Sequence, residues 1–355
     1  MQQSEVNVLV TGVGGGSLGR ELMKAFKMSS NKYKIIATDI LDNSVGLHET
    51  SNSYVIPSAS SNDYIDSLLK ICKKENVHAI AAGSEQEIEK VSKNFKIFEE
   101  AGVKVLSNPW KVIELCMDKY SLVNYLSQKN ILCPKSFLFK EDIDTDKIEK
   151  YPVIIKPRTG SGSRNVFIAY DKQEAVFFGN YLLKYGFEPM IQEYVGSHNE
   201  EYTIGILYAD EGKLVTSIAM KRILEGGLST RQIVVIPKTK EKFIVSSGIS
   251  QGLFDDFKEI REAGVKIAKS LEANGPINIQ CRKTDEGIFP FEVNPRFSGT
   301  TGSRSLVGHN EPDIFCRYCL FNEIPEKIIH KNGYVVKDFQ EKYISFEDAK
   351  NVPRI

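Results

Sequence analysis

Long apolar runs are missing from this chain. None of its 355 residues fall in an uninterrupted stretch approaching the roughly 18 apolar residues of a spanning helix, so no membrane partner is expected. Charge bias is missing too. Lys and Arg total 46 and Asp and Glu total 46, so no global field draws in nucleic acid or an anionic surface. The start, Met1-Gln2-Gln3-Ser4-Glu5, has neither the basic nor the apolar region of a secretory signal, and a cytoplasmic protein is expected. Cysteine is sparse, with six residues, and only Cys316 and Cys319 form a CxxC. No second pair completes a zinc site, so these read as free thiols three apart on a helix. The five histidines are scattered, which argues against a histidine-centred mechanism.

What is present is an ordinary soluble composition, 41% hydrophobic and 26% charged, long enough for two or three domains. The first 110 residues alternate strand and helix. Strands are expected at Val6 to Thr11, Lys34 to Thr38, Ala79 to Ala82 and Lys104 to Leu106. Helices are expected at Arg20 to Phe26, Tyr64 to Glu75 and Glu85 to Glu100. That alternation predicts a Rossmann-like, doubly wound parallel sheet. Between the first strand and helix stands Gly14-x-Gly16-x-x-Gly19, and Asp39 ends the second strand. The pattern fits a dinucleotide fingerprint, hence an NAD-dependent oxidoreductase, and equally a tight turn whose glycines let helix and strand approach.

Beyond residue 110 the character changes. Val153 to Pro157 and Val166 to Ala169 read as a hairpin around Gly160-Ser161-Gly162-Ser163, with Lys156 entering it. A Gly-Ser loop between strands offers unhindered N–H groups and hydroxyls to phosphate, and serves equally as a flexible hairpin. Helices are expected near Gln173 to Leu183, Phe254 to Leu271 and Glu311 to Phe321, among strands from Met190 to Asn294. In Phe291-Glu292-Val293-Asn294-Pro295-Arg296, period two puts Glu292 and Asn294 on one face, with Arg296 continuing it if the strand persists past Pro295. An anion, a neutral oxygen and a cation on one face suit Mg²⁺ against a polyphosphate. Gln280, across a turn at Lys283 to Gly287, is a further candidate ligand.

Lys119, Lys156 with its glycine loop, Glu193, Glu201, Gln280, Glu292, Asn294 and Arg296 occur in one order. In that order the chain resembles the ATP-grasp superfamily over residues 1 to 320, and within it the ATP-binding halves of the carbamoyl-phosphate synthase large subunit. The resemblance implies four parts: a Rossmann-like domain at 1–110, a linker helix and small lid-bearing subdomain at 111–195, a metal and substrate subdomain at 196–325, and a tail at 326–355. It implies that Lys119 and Lys156 contact phosphates, that Gly160, Ser161, Gly162 and Ser163 close over them, and that Glu193, Tyr194 and Val195 receive the adenine. Glu201 would hold ribose, Gln280 and Glu292 one Mg²⁺, and Glu292 and Asn294 another, with Mn²⁺ able to substitute. Arg296 would stabilise the transferring phosphoryl group. Arg231 and Lys221 are placed as substrate ligands, and Ser298 to Arg304 as the pocket floor.

The implied activity is an ATP-dependent ligase joining a small carboxylate to an amine through an acyl phosphate. A carbamoyl-phosphate synthase-like kinase acting on bicarbonate or carbamate is the alternative. The glutamine at 280 favours that branch, and a homodimer is the default assembly. The same resemblance turns the N-terminal glycines from a cofactor site into scaffold.

Overall fold

Strand β1 (Val6–Thr11) shows why the first unit folds as it does: both of its faces are apolar. Val8 and Val10 pack with Leu22 and Phe26 on one side, while Leu9 packs with Leu68 and Ile71 on the other. A strand buried on both faces belongs inside a parallel sheet covered by helices. The computed structural model describes residues 5–140, 148–160, 162–209, 212–225, 228–236, 240–338 and 340–355. In chain order the first unit comprises β1, α1 (Leu18–Lys27), β2 (Tyr33–Asp39), β3 (Asn52–Val55), α2 (Tyr64–Lys74), β4 (Ala79–Ala81), α3 (Glu85–Lys93), α4 (Phe95–Glu100) and β5 (Lys104–Val105). The sheet order is β3-β2-β1-β4-β5, parallel throughout.

Two sequence expectations are corrected here. The helix expected over Glu85 to Glu100 is two, because the backbone of Asn94 leaves helical geometry at φ −108° and ψ 22°. Strand β3 was not expected, since its Asn and Ser are weak strand formers. Its outer edge is occupied by the chain terminus: Val55 N–H donates to Pro353 O at 2.7 Å and Ile355 N–H to Val55 O at 3.1 Å.

The glycine motif splits by position. A Cβ on Gly19 would lie 2.3 Å from Thr11 O, and one on Gly83 2.0 Å from the same oxygen. At Gly14 it would meet Asp39 Oδ2 only at an ordinary 3.6 Å, and Gly15 faces open space. The last glycine therefore serves close packing of α1 on β1. Gly19→Ala is expected to cost about 1–3 kcal/mol in urea unfolding, whereas Gly15→Ala costs far less. Equal losses at the two positions would contradict the packing role.

Helices α5 (Trp110–Met117) and α6 (Lys119–Gln128) lead to β6 (Ser136–Leu138), β7 (Val153–Pro157), β8 (Phe167–Ala169), α7 (Lys172–Lys184) and β9 (Pro189–Glu193), whose sheet order is β6-β9-β7-β8. Then follow β10 (Glu201–Ala209), β11 (Lys213–Arg222), β12 (Thr230–Val235), β13 (Lys242–Ser246), β14 (Gly252–Phe254), α8 (Lys258–Ser270), β15 (Pro276–Thr284) and β16 (Gly287–Asn294). After α9 (Thr301–Leu306) and α10 (Glu311–Phe321) come β17 (Gly333–Val335) and α11 (Phe346–Lys350). A six-stranded sheet runs β16-β15-β10-β11-β14-β17, and β12–β13 is a separate hairpin. Helix α8 begins at Lys258, later than expected, because buried Phe254 ends β14 opposite Met220. The tail, unreadable in sequence, joins the six-stranded sheet as β17 and then reaches Val55 of the first. Cys316 and Cys319 lie on α10, neither of them in a disulfide.

Candidate active site

The antiparallel register of β15 and β16 sets Gln280 directly opposite Glu292. Two residues on, Asn294 shares Glu292's face, and its Nδ2 donates to Glu292 Oε1 at 3.0 Å. Gln280 Nε2 donates to Glu292 Oε2 at 3.3 Å. One carboxylate thus stands between two amides. Strand β16 ends at Asn294, so Arg296 does not continue the face. Pro295 breaks the ladder, and Arg296 N–H folds back onto Asn294 O at 2.8 Å. Its guanidinium still returns toward the row, with Nη2 3.4 Å from Asn294 Oδ1. The main partner of Arg296 was not foreseen. Glu85, first residue of α3 in the N-terminal unit, accepts from Nη2 at 2.6 Å and from Nε at 3.1 Å on one oxygen.

No group of three or more His, Cys, Asp or Glu suited to a metal lies among the described residues. One carboxylate and two amides are hard oxygen donors carrying a single negative charge, which suits Mg²⁺ only when phosphate oxygens complete the shell. Half a turn of the Asn294 amide presents its oxygen in place of its N–H without moving the strand.

Lys156, on β7, is buried beside this row, and its Nζ donates to Gln192 Oε1 at 2.8 Å and Phe291 O at 3.4 Å. Lys119 opens α6, which Asp118 caps by accepting from the N–H groups of Tyr120 and Ser121. Arg158 fixes that cap through a fork on Asp118, at 2.8 Å and 2.6 Å. Lys119 Nζ donates to Gly160 O, at the mouth of the glycine loop. In that loop Gly160, Gly162 and Ser163 all have positive φ, and Ser163 Oγ donates to Ser246 O of β13 at 3.0 Å. Ser161 lies outside the described residues.

Burial, and then the neighbouring Lys119 charge, lower the Lys156 ammonium from 10.5 to about 7, against the pull of Glu292. A lysine depressed this way is mostly neutral at pH 8 and protonated at pH 5. A triphosphate held by Lys156 would favour the charged form and so raise that pKa. Binding of MgATP is therefore expected to take up close to one proton at about pH 8 and almost none near pH 5. Calorimetry in buffers of different ionisation enthalpy measures this, and no uptake at pH 8 would remove Lys156 from the phosphate site. The sign for folding follows from the same shift. Stability from this group rises with pH between about 7 and 10.5, where only the unfolded chain holds the proton.

Glu193 ends β9, and its N–H is used by Lys135 O at 2.9 Å; the Val195 carbonyl accepts from Arg282 Nη1 at 3.2 Å, so the Glu193 carbonyl and the Val195 N–H are the groups left for a ligand edge. Both residues line the same cavity as Lys119, Lys156, Gly160 and Glu292, between apolar Ile154, Val195, Ile244 and Phe291. The Tyr194 side chain lines the same cavity. Its hydroxyl accepts from Ile244 N–H at 2.9 Å and donates to Ile244 O at 3.2 Å, fastening β13 as a roof.

Three expectations change on the β10–β11 side. Glu201 is fully buried, with Oε1 on Arg222 at 2.8 Å and Oε2 on Arg282 at 2.9 Å. Its charge is matched by two guanidinium groups that sequence reasoning missed. Lys221 is not a ligand at the row. Alternation turns it away from its neighbour Arg222, onto Glu200 and over the Tyr202 ring. Arg222 is the inward residue, and its Nη1 donates to Glu201 Oε1, Ser246 Oγ and Gln280 Oε1, each at 2.8 Å. Arg231 is exposed at an irregularity of the β12–β13 register, and no contact joins it to the row. Arg282 was legible in principle, two residues after Gln280 on one strand. The 298–304 segment packs on α1 rather than lying open: Gly302 N–H donates to Glu21 Oε2 at 3.1 Å, and Arg304 is buried against Glu311 at 2.9 Å.

Comparison with known proteins agrees with this geometry. A family model described as the ATP-grasp domain matches residues 116–300, and one described as the PylC-like, N-terminal domain matches residues 8–106. The carbamoyl phosphate synthase large chain of Clostridium acetobutylicum is 28% identical over 259 residues, covering 69% of this chain but 22% of that protein. The Pyrococcus furiosus counterpart is 23% identical over 222 residues, covering 59% and 20%. The chain thus spans about a fifth of the curated relatives it matches. Among solved structures, D-alanine–D-alanine ligase from Bacillus anthracis covers 90% of this chain and 98% of its own, at TM-score 0.58 and 14% identity. N5-carboxyaminoimidazole synthetase from Staphylococcus aureus, complexed with ADP, covers 92% and 80% at TM-score 0.66 and 13% identity. These likenesses show the fold. With the ATP-grasp model spanning more than half of its length, the chain belongs to the ATP-grasp family.

Proposed function

We propose that this chain is an ATP- and Mg²⁺-dependent ligase that activates a carboxylate as its acyl phosphate for attack by an amine. One observation carries the reading. Glu292, the carboxylate of the row, shares a single cavity with two lysines, a glycine-rich loop and apolar walls, and the amides of Gln280 and Asn294 bond to it from behind. In this reading Lys119 and Lys156 hold phosphate oxygens and Gly160 to Ser163 cover them. The main chain of Glu193 and Val195 bonds the adenine edge. Glu201 accepts twice on Oε2 and once on Oε1, which leaves one lone pair, on Oε1, for a ribose hydroxyl. Gln280 with Glu292, and Glu292 with Asn294, would hold two Mg²⁺, with Mn²⁺ as a substitute. Bound metal would neutralise charge on the phosphates.

The chemistry asks for positioning and charge stabilisation, not for a covalent protein nucleophile. A carboxylate oxygen attacks the γ-phosphorus and ADP leaves. The amine then attacks the acyl carbon, phosphate leaves, and the amine's proton passes to solvent. In this reading Arg296, beside Asn294 and held by Glu85, meets the charge on the transferring group once that carboxylate gives way. A second reading, phosphorylation of bicarbonate or carbamate, is supported by Gln280 at the metal row and by the carbamoyl phosphate synthase relatives. The two small substrates, a homodimer and a cytoplasmic location complete the proposal. No helix among the described residues is long and apolar enough to cross a membrane.

The test is ADP and phosphate release with MgATP across pairs of carboxylates and amines, with product masses recorded. Release needing both partners supports the ligase. Release with bicarbonate alone supports the second reading. Nucleotide turnover with no added acceptor responding anywhere would sink both.

A further inference from the structure

We infer that Glu85 is an internal stand-in for the substrate carboxylate, holding Arg296 until an incoming anion displaces it. The inference rests on the ATP-dependent reading of the same cavity and adds a control to it.

Arg296 has no free edge. Its Nε and Nη2 both point to Glu85 Oε1, at 3.1 Å and 2.6 Å, and its Nη1 donates to Phe297 O at 2.9 Å. The remaining contact, from Nη2 to Asn294 Oδ1, is at 3.4 Å. A guanidinium engages a carboxylate or phosphate through one such edge. Any anion that Arg296 is to bind beside the metal row must therefore take the edge that Glu85 now fills. The occupying group is itself a carboxylate, the same functional group as the proposed substrate.

The pair is also built to exchange. Its side chains are 20% and 37% exposed, unlike the buried Arg304–Glu311 strut at 1% and 2%. A partly solvated ion pair is held weakly and gives way to a better-placed anion. Once displaced, Glu85 does not become a stranded charge. It is the first residue of α3, where the helix N-terminus favours an anion, and the Lys119 ammonium is close enough to feel its charge. The partners lie 211 positions apart, one on α3 of the N-terminal unit and one just past β16, so the contact exists only when that unit is docked on the metal strand. ATP would then sit in the cavity with its phosphoryl-stabilising arginine withheld, limiting hydrolysis until a carboxylate arrives.

Glu85→Gln keeps the size and a hydrogen-bonding group but removes the competing charge. The probes are MgADP alone and MgADP with aluminium fluoride, a mimic of the transferring phosphoryl group, titrated calorimetrically into wild type and variant. We expect Glu85→Gln to bind MgADP–aluminium fluoride about tenfold more tightly than wild type, with MgADP alone within about twofold. The gain should vanish in Glu85→Gln/Arg296→Gln. Melting temperature and circular dichroism establish that each variant is folded. Equal affinity of wild type and Glu85→Gln for the mimic overturns the inference. So does a gain of equal size for MgADP alone, which would mean a generally looser cavity. Failure of wild type to bind MgADP overturns the ATP reading itself, and this inference with it.

Discussion

Glu292→Ala abolishes ATP turnover, with an expected loss on the order of 10³-fold or more. The size follows from its place in the row. Glu292 is the carboxylate between Gln280 and Asn294, bonded to both amides, and it lines the nucleotide cavity. Its removal takes away the anionic oxygens and releases the two amides that it orients. Asn294→Ala removes one neutral donor and leaves the charge, so its loss is smaller, about 10–100-fold. Both are read from single-turnover ADP formation, beside a thermal melt that shows the fold is kept. Near wild-type turnover in folded Glu292→Ala would end the metal assignment.

Arg222→Met is expected to destabilise the protein by about 3–5 kcal/mol in urea unfolding, a large part of an ordinary domain's stability. Methionine keeps most of the volume, so the loss is electrostatic. Glu201, 0% exposed, would be left with Arg282 as its one cationic partner among the described residues. Gln280 Oε1, Ser246 Oγ and Ser247 O would lose their donor together. The adjacent Lys221→Ala removes a charge of the same sign from a half-exposed pair and is expected to cost below about 1 kcal/mol. A loss at Arg222 no larger than at Lys221 would mean that the buried network contributes little. The comparison also probes why sequence reasoning chose the wrong neighbour. Lys221 and Arg222 look equivalent as letters, and only the register of β11 on β10 decides which one points inward.

The doubly wound N-terminal sheet was readable because period-two apolar strands and amphipathic helices alternate, and both patterns arise within short stretches of backbone. The same locality made the hairpin around the glycine loop readable, and the shared face of Glu292 and Asn294. The break at Asn94, the short β3 and the true start of α8 were less legible. At β3 and α8 packing outweighs local preference, as where Phe254 is drawn into β14 although the sequence invites a helix there, while at Asn94 the side chain bonds back to Lys90 O at 2.8 Å.

By itself the sequence determined the sheet type, the order of the candidate residues from Lys119 to Arg296 along the chain, and the shared face of Glu292 and Asn294. Each of these depends on spacing within one strand or on the succession of elements. Only the tertiary structure decided that Arg222 and Arg282 neutralise Glu201, that Arg231 stays outside, and that the tail spans two sheets. It alone brought Glu85 onto Arg296, 211 positions away. The physical reason is that a side chain's direction follows from local backbone geometry. Its partner, however, follows from how separate sheets dock, and no periodicity in the chain encodes that.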